Sequence, residues 1–173
     1  EWAQGNQSHL REAVTLWFTG RDMPSACTPL FNRLIEDGLI RQEDIWLRVR
    51  LALEAGNPHV ARVVANGLPA SQRPTAALID QTRRNPARVL NGAKTLDFGR
   101  RGDREVALYA LDLLAKRSSD EAERALRKWA AQFSADELRI AWARLATWAA
   151  RSHEAVALSW FQQAGVDAVN DFQ

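Results

Sequence analysis

The chain has 173 residues, of which 46% are hydrophobic and 25% are charged, and its 23 basic and 21 acidic residues give a formal net charge of +2. This composition is typical of a folded protein with a core and excludes a disordered chain. No apolar run approaches the roughly 20 residues that cross a bilayer, so no membrane span is predicted. Nucleic-acid binding requires clustered cations, and we assign the densest cluster, Arg100-Arg101 with Arg104, to a solvated loop.

Three equally spaced glycines indicate the architecture of the first part of the chain. Gly20, Gly38 and Gly56 lie 18 residues apart, and each follows an apolar pattern of helical period. Glycine relieves the left-handed conformation in which many helices end. A helix and a turn every 18 residues form a helical hairpin about every 36 residues, which is typical of stacked helical-repeat proteins.

Four helices are expected before residue 70. The third is apolar on most sides, which predicts that neighbouring helices bury it. The fourth is expected to turn Val60, Val63 and Val64 inward. The predicted helices run from Ser8 to Thr19, from Thr28 with Pro29 in its first turn to Gly38, from Glu43 to Ala55, and from Pro58 to Gly67.

The second half is less regular up to residue 102 and tightly patterned afterwards. Ser118 with Glu121 and Ser134 with Glu137 have the spacing of capping boxes, and Ser152 is predicted to cap a last helix. No stretch alternates apolar and polar residues for long enough to predict a strand. Further segments are predicted as helices at Thr75 to Arg83, Ala87 to Lys94 and Arg104 to Arg117, and as a loop at Gly99 to Gly102.

The predicted fold class is therefore all-α, with eight to ten antiparallel helices whose hairpins stack into a solenoid-like α-superhelix. Seven tryptophans are the unusual feature of the composition. Three of them, Trp17, Trp129 and Trp142, lie on apolar helical stripes and are predicted to be core residues. Trp46 and Trp148 lie partly off those stripes, and for them we favour packing over a glycan-binding groove.

Residues that carry chemistry are not grouped in the sequence. His9, His59 and His153 are far apart, and surface or helix-end positions are favoured over a metal site. Adjacent acids such as Glu36-Asp37 point in different directions on a helix, so the carboxylates are expected at helix ends and on solvated faces. There is no Gly-rich phosphate loop and no nucleophile elbow, so no cofactor is expected. Cys27, the single cysteine, has no internal disulfide partner, and the residues alone predict a buried small hydrophobe.

Several short runs resemble one known family in their order and spacing. They lie between about Leu10 and Pro69, and they resemble the U-shaped, superhelical N-terminal domain of the bacterial soluble lytic transglycosylases. Beyond Pro69 only helix order and length are similar. The runs are Leu16-Trp17-Phe18-Thr19-Gly20, Pro24-Ser25-Ala26-Cys27, Leu30-Phe31, Arg48-Val49-Arg50-Leu51-Ala52, Ala55-Gly56-Asn57 and Leu68-Pro69.

The resemblance implies an activity for the intact enzyme and none for this part of it. Family members cleave the MurNAc-GlcNAc bonds of peptidoglycan to 1,6-anhydro ends in a separate, lysozyme-like C-terminal domain. That domain carries a Glu-Ser pair, a Gly-Leu-Met-Gln run and an Ala-Tyr-Asn run. None of these occurs here, since no Glu is followed by Ser and the only tyrosine, Tyr109, precedes an alanine. The resemblance therefore implies no catalytic, cofactor-binding or metal-binding residue in this chain.

The resemblance also implies a cellular compartment and a set of partners. It makes residues 1–173 part of one α-superhelical domain in the periplasm, with a secretion signal upstream and the catalytic domain missing. Its partners are then peptidoglycan through the intact enzyme, its own catalytic domain and cell-wall proteins. Because disulfides form in the oxidising periplasm, this setting gives Cys27 a second interpretation besides a buried small hydrophobe: a disulfide whose partner lay upstream of Glu1 and has been lost. The other hypothesis is a tetratricopeptide-like adaptor that binds a peptide or protein, and the segment that follows Gln173 distinguishes the two.

Overall fold

The computed structural model describes residues 12–92 and 95–165, and these residues contain α-helices, 3-10 turns and no strand. The all-α class predicted from the sequence is confirmed. None of the helices in this part of the chain is long and apolar enough to cross a membrane. The helices are α1 (Thr28–Glu36), α2 (Gln42–Glu54), α3 (Pro58–Ala65), α4 (Ala76–Arg84), α5 (Pro86–Asn91), α6 (Arg101–Ala115), α7 (Ser119–Trp129), α8 (Ala135–Arg151) and α9 (Ala157–Ala164).

The chain divides into two compact units, Glu1–Arg73 and Pro74–Gln173. The first contains α1 to α3, and the second contains α4 to α9. The single superhelical domain expected over residues 1–173 stays a prediction.

In the first unit, α2 packs against α3 and buries residues at helical spacing. Ile45, Arg48, Val49 and Ala52 follow the i, i+3, i+4, i+7 pattern of one helix face, and all four are buried. The prediction that neighbouring structure buries this helix is confirmed for that face and for Trp46 and Leu53, but it is wrong at Leu47, which is 39% exposed. The prediction for α3 is wrong at Val63, which is 55% exposed.

The geometry of α3 explains the exposure of Val63. Its buried residues are Val60, Ala61, Val64 and Ala65. At 100° per residue these four form one face of the helix, and Val63 lies on the side turned away from it. The small side chain of Ala61 takes the inward position that the sequence analysis assigned to Val63.

Two of the three equally spaced glycines end helices as predicted. Gly38 follows α1 with φ +70°, and Gly56 follows α2 with φ +75°. Gly20 does not have a positive φ, so its predicted role is wrong. The helix before it ends earlier, in the 3-10 turn Thr15–Trp17, and its predicted start at Ser8 lies outside the described residues.

Gly20 is instead a point of close approach between two parts of the backbone. A Cβ atom at this position would collide with the carbonyl oxygen of Leu51 in α2. The side chain of Asn57 also donates a hydrogen bond of 2.8 Å from Nδ2 to the carbonyl oxygen of Gly20. The absence of a side chain therefore allows the first turn of the unit to lie directly on α2.

In the second unit, α6 is the central helix and contacts α4, α5, α7 and α8. Twelve of its fifteen residues are buried. It begins at Arg101, so the loop predicted to continue to Gly102 ends earlier, and the Arg100-Arg101-Arg104 cluster is not a solvated loop. Asp103 lies in the first turn of α6, where the helix dipole favours a negative charge, and Arg100 pairs with it at 3.3 Å.

Of the predicted caps, the capping box at Ser134 is confirmed, and at Ser118 only the N-cap half of the predicted box is present. Ser134 and Glu137 form a complete capping box at the start of α8, and Ser118 accepts a hydrogen bond from the backbone N–H of Glu121 at the start of α7. Ser152 is different, because it ends α8 rather than starting α9. The chain turns after it through His153, whose φ is +58°, and α9 begins at Ala157.

The two glycine roles predict different costs of substitution. At Gly38 there is open space for a Cβ atom, so Gly38→Ala should lower the free energy of unfolding by about 1 kcal/mol through backbone strain alone. Gly38→Asn should cost less, because asparagine tolerates the left-handed conformation. Gly20→Ala should cost more than Gly38→Ala, because it forces Gly20 and α2 apart. Chemical denaturation followed by circular dichroism measures all three, and a cost for Gly20→Ala at or below that for Gly38→Ala would contradict the close-approach role.

Candidate functional site

Three of the runs that carry the family resemblance meet at one place in the first unit. The 3-10 turn before Gly20 places the ring of Trp17 in the interior, where its indole N–H donates to the carbonyl oxygen of Asp44 at 2.9 Å. Phe31 of α1 packs edge-on against this ring, with 5.2 Å between the ring centroids and an interplanar angle of 73°. Arg48 of α2 joins them, so residues far apart in the sequence form one aromatic and cationic cluster.

Arg48 is a buried cation that is held by aromatic rings. Arg48 is only 4% exposed, and its guanidinium carbon lies 4.3 Å from the ring centroid of Trp17 and 5.0 Å from that of Phe31. Both distances are within the range of cation–π attraction. Within residues 12–92 and 95–165, its Nε atom has no hydrogen-bond partner, and Arg48 has no ion pair.

A cavity of about 420 Å³ opens beside this cluster, and we name it the Arg48 pocket. Side chains of different chemistry line it, so it offers a cation, aromatic and aliphatic walls, amides and one acid. The lining residues used below are Trp17, Asp22, Phe31, Asn32, Arg48, Val60, Val64 and Asn66. Its volume is within the range of small-ligand sites.

Burial dominates the electrostatics of the pocket. Desolvation lowers the pKa of Arg48, and attraction from Asp22 and from Cys27 raises it again without cancelling that effect. Arginine nevertheless remains protonated in proteins, so the side chain keeps its charge. Cys27 is half-buried and has a free thiol. The pocket therefore carries a positive charge that its own walls only partly compensate.

The buried acids described in the second unit are paired with cations instead. Asp112 of α6 is 1% exposed, and its carboxylate lies 2.9 Å from Lys116 Nζ and 2.9 Å from Arg144 Nη2. Its Oδ1 also accepts a hydrogen bond of 2.7 Å from the indole N–H of Trp148. Trp148 is thus engaged by packing and a hydrogen bond, with the cations of Lys116 and Arg151 over its ring.

The expectation that the carboxylates occupy helix ends and solvated faces is wrong for Glu105 and Asp112, which are buried within α6. Asp103 and Glu137 do lie at helix ends, in the first turns of α6 and α8, but they are buried as well. Four carboxylates are buried in this unit, because neighbouring helices cover α6 and the start of α8. Each of the four has a cation beside it, either from the same segment of chain or from a neighbouring helix. Arg101 lies 3.7 Å from one of them, Glu105. The four are Asp103, Glu105, Asp112 and Glu137.

The surroundings of Glu137 do not suit it to glycosidic chemistry. Burial raises its pKa, but hydrogen bonds from Ser134 and the guanidinium of Arg104, which lies at 2.9 Å, lower it further than burial raises it. A general acid for glycoside cleavage needs the opposite, a raised pKa that keeps its proton near neutral pH. Glu137 is therefore a capping residue and an ion-pair partner.

The structure places the other predicted residues as follows. His59 and His153 are exposed, and His9 lies outside the described residues. In the described part of the chain, no group of three potential ligands could hold a metal ion. Trp46 is 1% exposed, so packing is confirmed there, and the indole N–H of Trp129 donates to the carbonyl oxygen of Leu90 at 2.8 Å.

The sequence analysis did not identify Arg48 as a site residue. A usable signal was present, because Arg48 lies three residues after Ile45 and four before Ala52, on the stripe that the apolar pattern assigns to the core. An arginine on such a stripe must be paired, stacked on rings or directed into a cavity. The structure shows that Arg48 is stacked on rings and directed into a cavity.

The pairing of Glu137 predicts a pH-dependent stability. Because the pKa of Glu137 is lowered in the folded state, its stabilisation is present at neutral pH and is lost as the pH falls below about 4.5 through the folded pKa. Glu137→Gln should therefore lower the free energy of unfolding by about 2 kcal/mol at pH 7 and by much less in acid. Chemical denaturation at several pH values measures this difference.

A matched control is available in α7. Glu123 also pairs with an arginine, Arg127, at 2.8 Å, but this pair is on the surface. Glu123→Gln should change the free energy of unfolding by less than about 0.5 kcal/mol at any of these pH values. An equal effect of the two substitutions, or an effect of Glu137→Gln that grows in acid, would contradict the assignment.

Comparison with known proteins gives related sequences and structures, although no family model matches the chain. The soluble lytic murein transglycosylase of Escherichia coli K12 is 31% identical over 126 residues, and that of Salmonella typhimurium is 30% identical over 126 residues. Each alignment covers 70% of this chain and 19% of the relative.

Solved structures agree with the sequence relatives. An inactive mutant of the lytic transglycosylase Slt from Pseudomonas aeruginosa matches with a TM-score of 0.70 and 26% identity, over 95% of this chain and 27% of that one. The 70 kDa soluble lytic transglycosylase of E. coli matches with a TM-score of 0.57 and 25% identity, over 94% of this chain and 27% of that one.

The chain thus spans about a fifth of the curated relatives that it matches and about a quarter of the solved chains. The similarity extends well beyond the runs before Pro69 that first indicated it, since it covers 70% of the sequence and nearly all of the fold. The chain is therefore homologous to the soluble lytic murein transglycosylases and fits their N-terminal region.

Proposed function

We propose that this chain is a non-catalytic part of a periplasmic lytic transglycosylase, whose intact form cleaves the MurNAc-GlcNAc bonds of peptidoglycan to 1,6-anhydro ends. The observation that carries this proposal is the homology over 126 residues to soluble lytic murein transglycosylases of two bacteria. Because the chain aligns with only 19% of those relatives, the rest of their length is available for the catalytic machinery.

In this proposal, residues 1–173 belong to one α-superhelical domain with a positional role. It docks the catalytic domain, closes a ring of helices around the glycan strand, or contacts cell-wall proteins. Stacked helical hairpins suit such a role, because each hairpin contributes a stretch of a long, continuous surface. The homology favours this role over the tetratricopeptide-like adaptor.

The chemistry of the buried acids supports a role without catalysis. Protonation of the leaving group requires an acid that keeps its proton near neutral pH inside a glycan-binding cleft. The acids of α6 and α8 are held by cations instead, as Asp112 is by Lys116 and Arg144, and Glu137 by Arg104. Glu137 in particular has a lowered pKa.

The chain by itself should release no anhydro-muropeptides from isolated sacculi. The measurement is incubation of the purified chain with sacculi, followed by mass spectrometry of the soluble products. The intact lytic transglycosylase Slt of P. aeruginosa serves as the positive control, and a heat-inactivated sample of the chain gives the background. Anhydro-muropeptides above that background would overturn the proposal and reveal an active site within these residues.

A further inference from the structure

Arg48 differs from the other buried charges of the described chain in what surrounds it. The buried acids Asp103, Glu105, Asp112 and Glu137 each have an arginine or lysine as an ion-pair partner. Arg48 instead lies against two aromatic rings and, among the described residues, forms no ion pair. Burying a charge without a counter-ion costs several kcal/mol, and cation–π attraction offsets only part of that cost. Asp22 lines the same pocket and attracts Arg48 without pairing with it, so the described surroundings of Arg48 compensate its charge only in part.

The position of Arg48 allows a ligand to supply the missing part of the compensating charge. The side chain lines the Arg48 pocket, and its Nε–H has no acceptor among the described residues. The rings of Trp17 and Phe31 fix the guanidinium, since Trp17 is itself held by its hydrogen bond to the carbonyl oxygen of Asp44. An anion that enters the cavity thus meets a donor that is already oriented and desolvated.

The other walls of the pocket limit the chemistry of that anion. Asp22 lines the same cavity and repels a group with two negative charges, so a carboxylate is favoured over a phosphate. Val60 and Val64 provide an aliphatic wall, and the amides of Asn32 and Asn66 can bond to peptide groups. A carboxylate next to a small aliphatic side chain and a peptide bond combines all of these features.

We propose that the Arg48 pocket binds the carboxylate end of a short peptide. The guanidinium of Arg48 receives the carboxylate, the ring of Trp17 holds the guanidinium in place, and the valines of α3 contact the terminal aliphatic side chain. Guanidinium and carboxylate are both planar and match in geometry, which makes arginine better suited to this task than lysine. This site does not depend on the enzyme assignment, because it rests on the first unit alone.

Titration of the ¹⁵N-labelled 173-residue chain with N-acetyl-Ala-Ala tests the proposal directly. The Nε–H signal of Arg48 and the indole N–H signal of Trp17 should shift together and saturate. N-acetyl-Ala-Ala-amide has the same shape without the charge, and it should bind at least tenfold more weakly. Acetate and inorganic phosphate, which lack the aliphatic and peptide groups, should also bind at least tenfold more weakly.

Two substitutions and a control separate the charge from the fold. Arg48→Met keeps the aliphatic stem without the charge, and Arg48→Lys keeps the charge without the planar donor; both should weaken binding at least tenfold. Arg33→Met removes an exposed arginine of the same unit, whose partner is Asp37, and should leave binding unchanged. Because the acid–amide comparison uses the unaltered protein, it remains decisive if an Arg48 variant fails to fold.

Three results would overturn the proposal. The first is the absence of a saturable shift with N-acetyl-Ala-Ala. The second is equal binding of the acid and the amide, which would mean that Arg48 does not recognise the charge. The third is equal binding of acetate or phosphate, which would reduce the pocket to a general anion site.

Discussion

A charged side chain that is buried away from water must be stabilised by other groups. The two buried helices α2 and α6 depend on how this requirement is met. In the second unit, α6 brings acids into the interior, and cations nearby in the chain or from a neighbouring helix pair with them, as Lys116 and Arg144 do with Asp112. In the first unit, α2 brings in a cation, and Trp17 and Phe31 stack against it. The first arrangement is complete within the unit, whereas the second leaves a positive charge beside an open cavity.

This difference indicates what each unit contributes. Paired charges such as Arg104 with Glu137 join helices that are far apart in the sequence and fix their relative positions, which suits a structural element. The stacked Arg48 is prepared for a negatively charged partner, which suits a recognition site. The positional role that we propose has use for both, since a domain with that role must keep its shape and also contact other molecules.

The sequence predicted the helices well and the site poorly, for physical reasons. Helix ends depend on local chemistry, so the glycines at 38 and 56 and the box of Ser134 with Glu137 were recognised correctly. Gly20 was assigned wrongly, because its role depends on the backbone of Leu51, 31 positions away in the sequence. For Arg48, the apolar stripe of α2 offered a local signal of burial, but the rings that hold it come from other segments and could not be read from that stripe.

Replacement of the matching N-terminal segment of P. aeruginosa Slt by this chain tests the central claim, a positional role, most directly. The TM-score of 0.70 over 95% of this chain makes the exchange feasible. We predict that the hybrid, once circular dichroism shows that it is folded, still releases anhydro-muropeptides from sacculi. A hybrid with an unrelated helical domain of equal length should not release them. A folded hybrid that releases none, or equal release by the unrelated hybrid, would contradict the account.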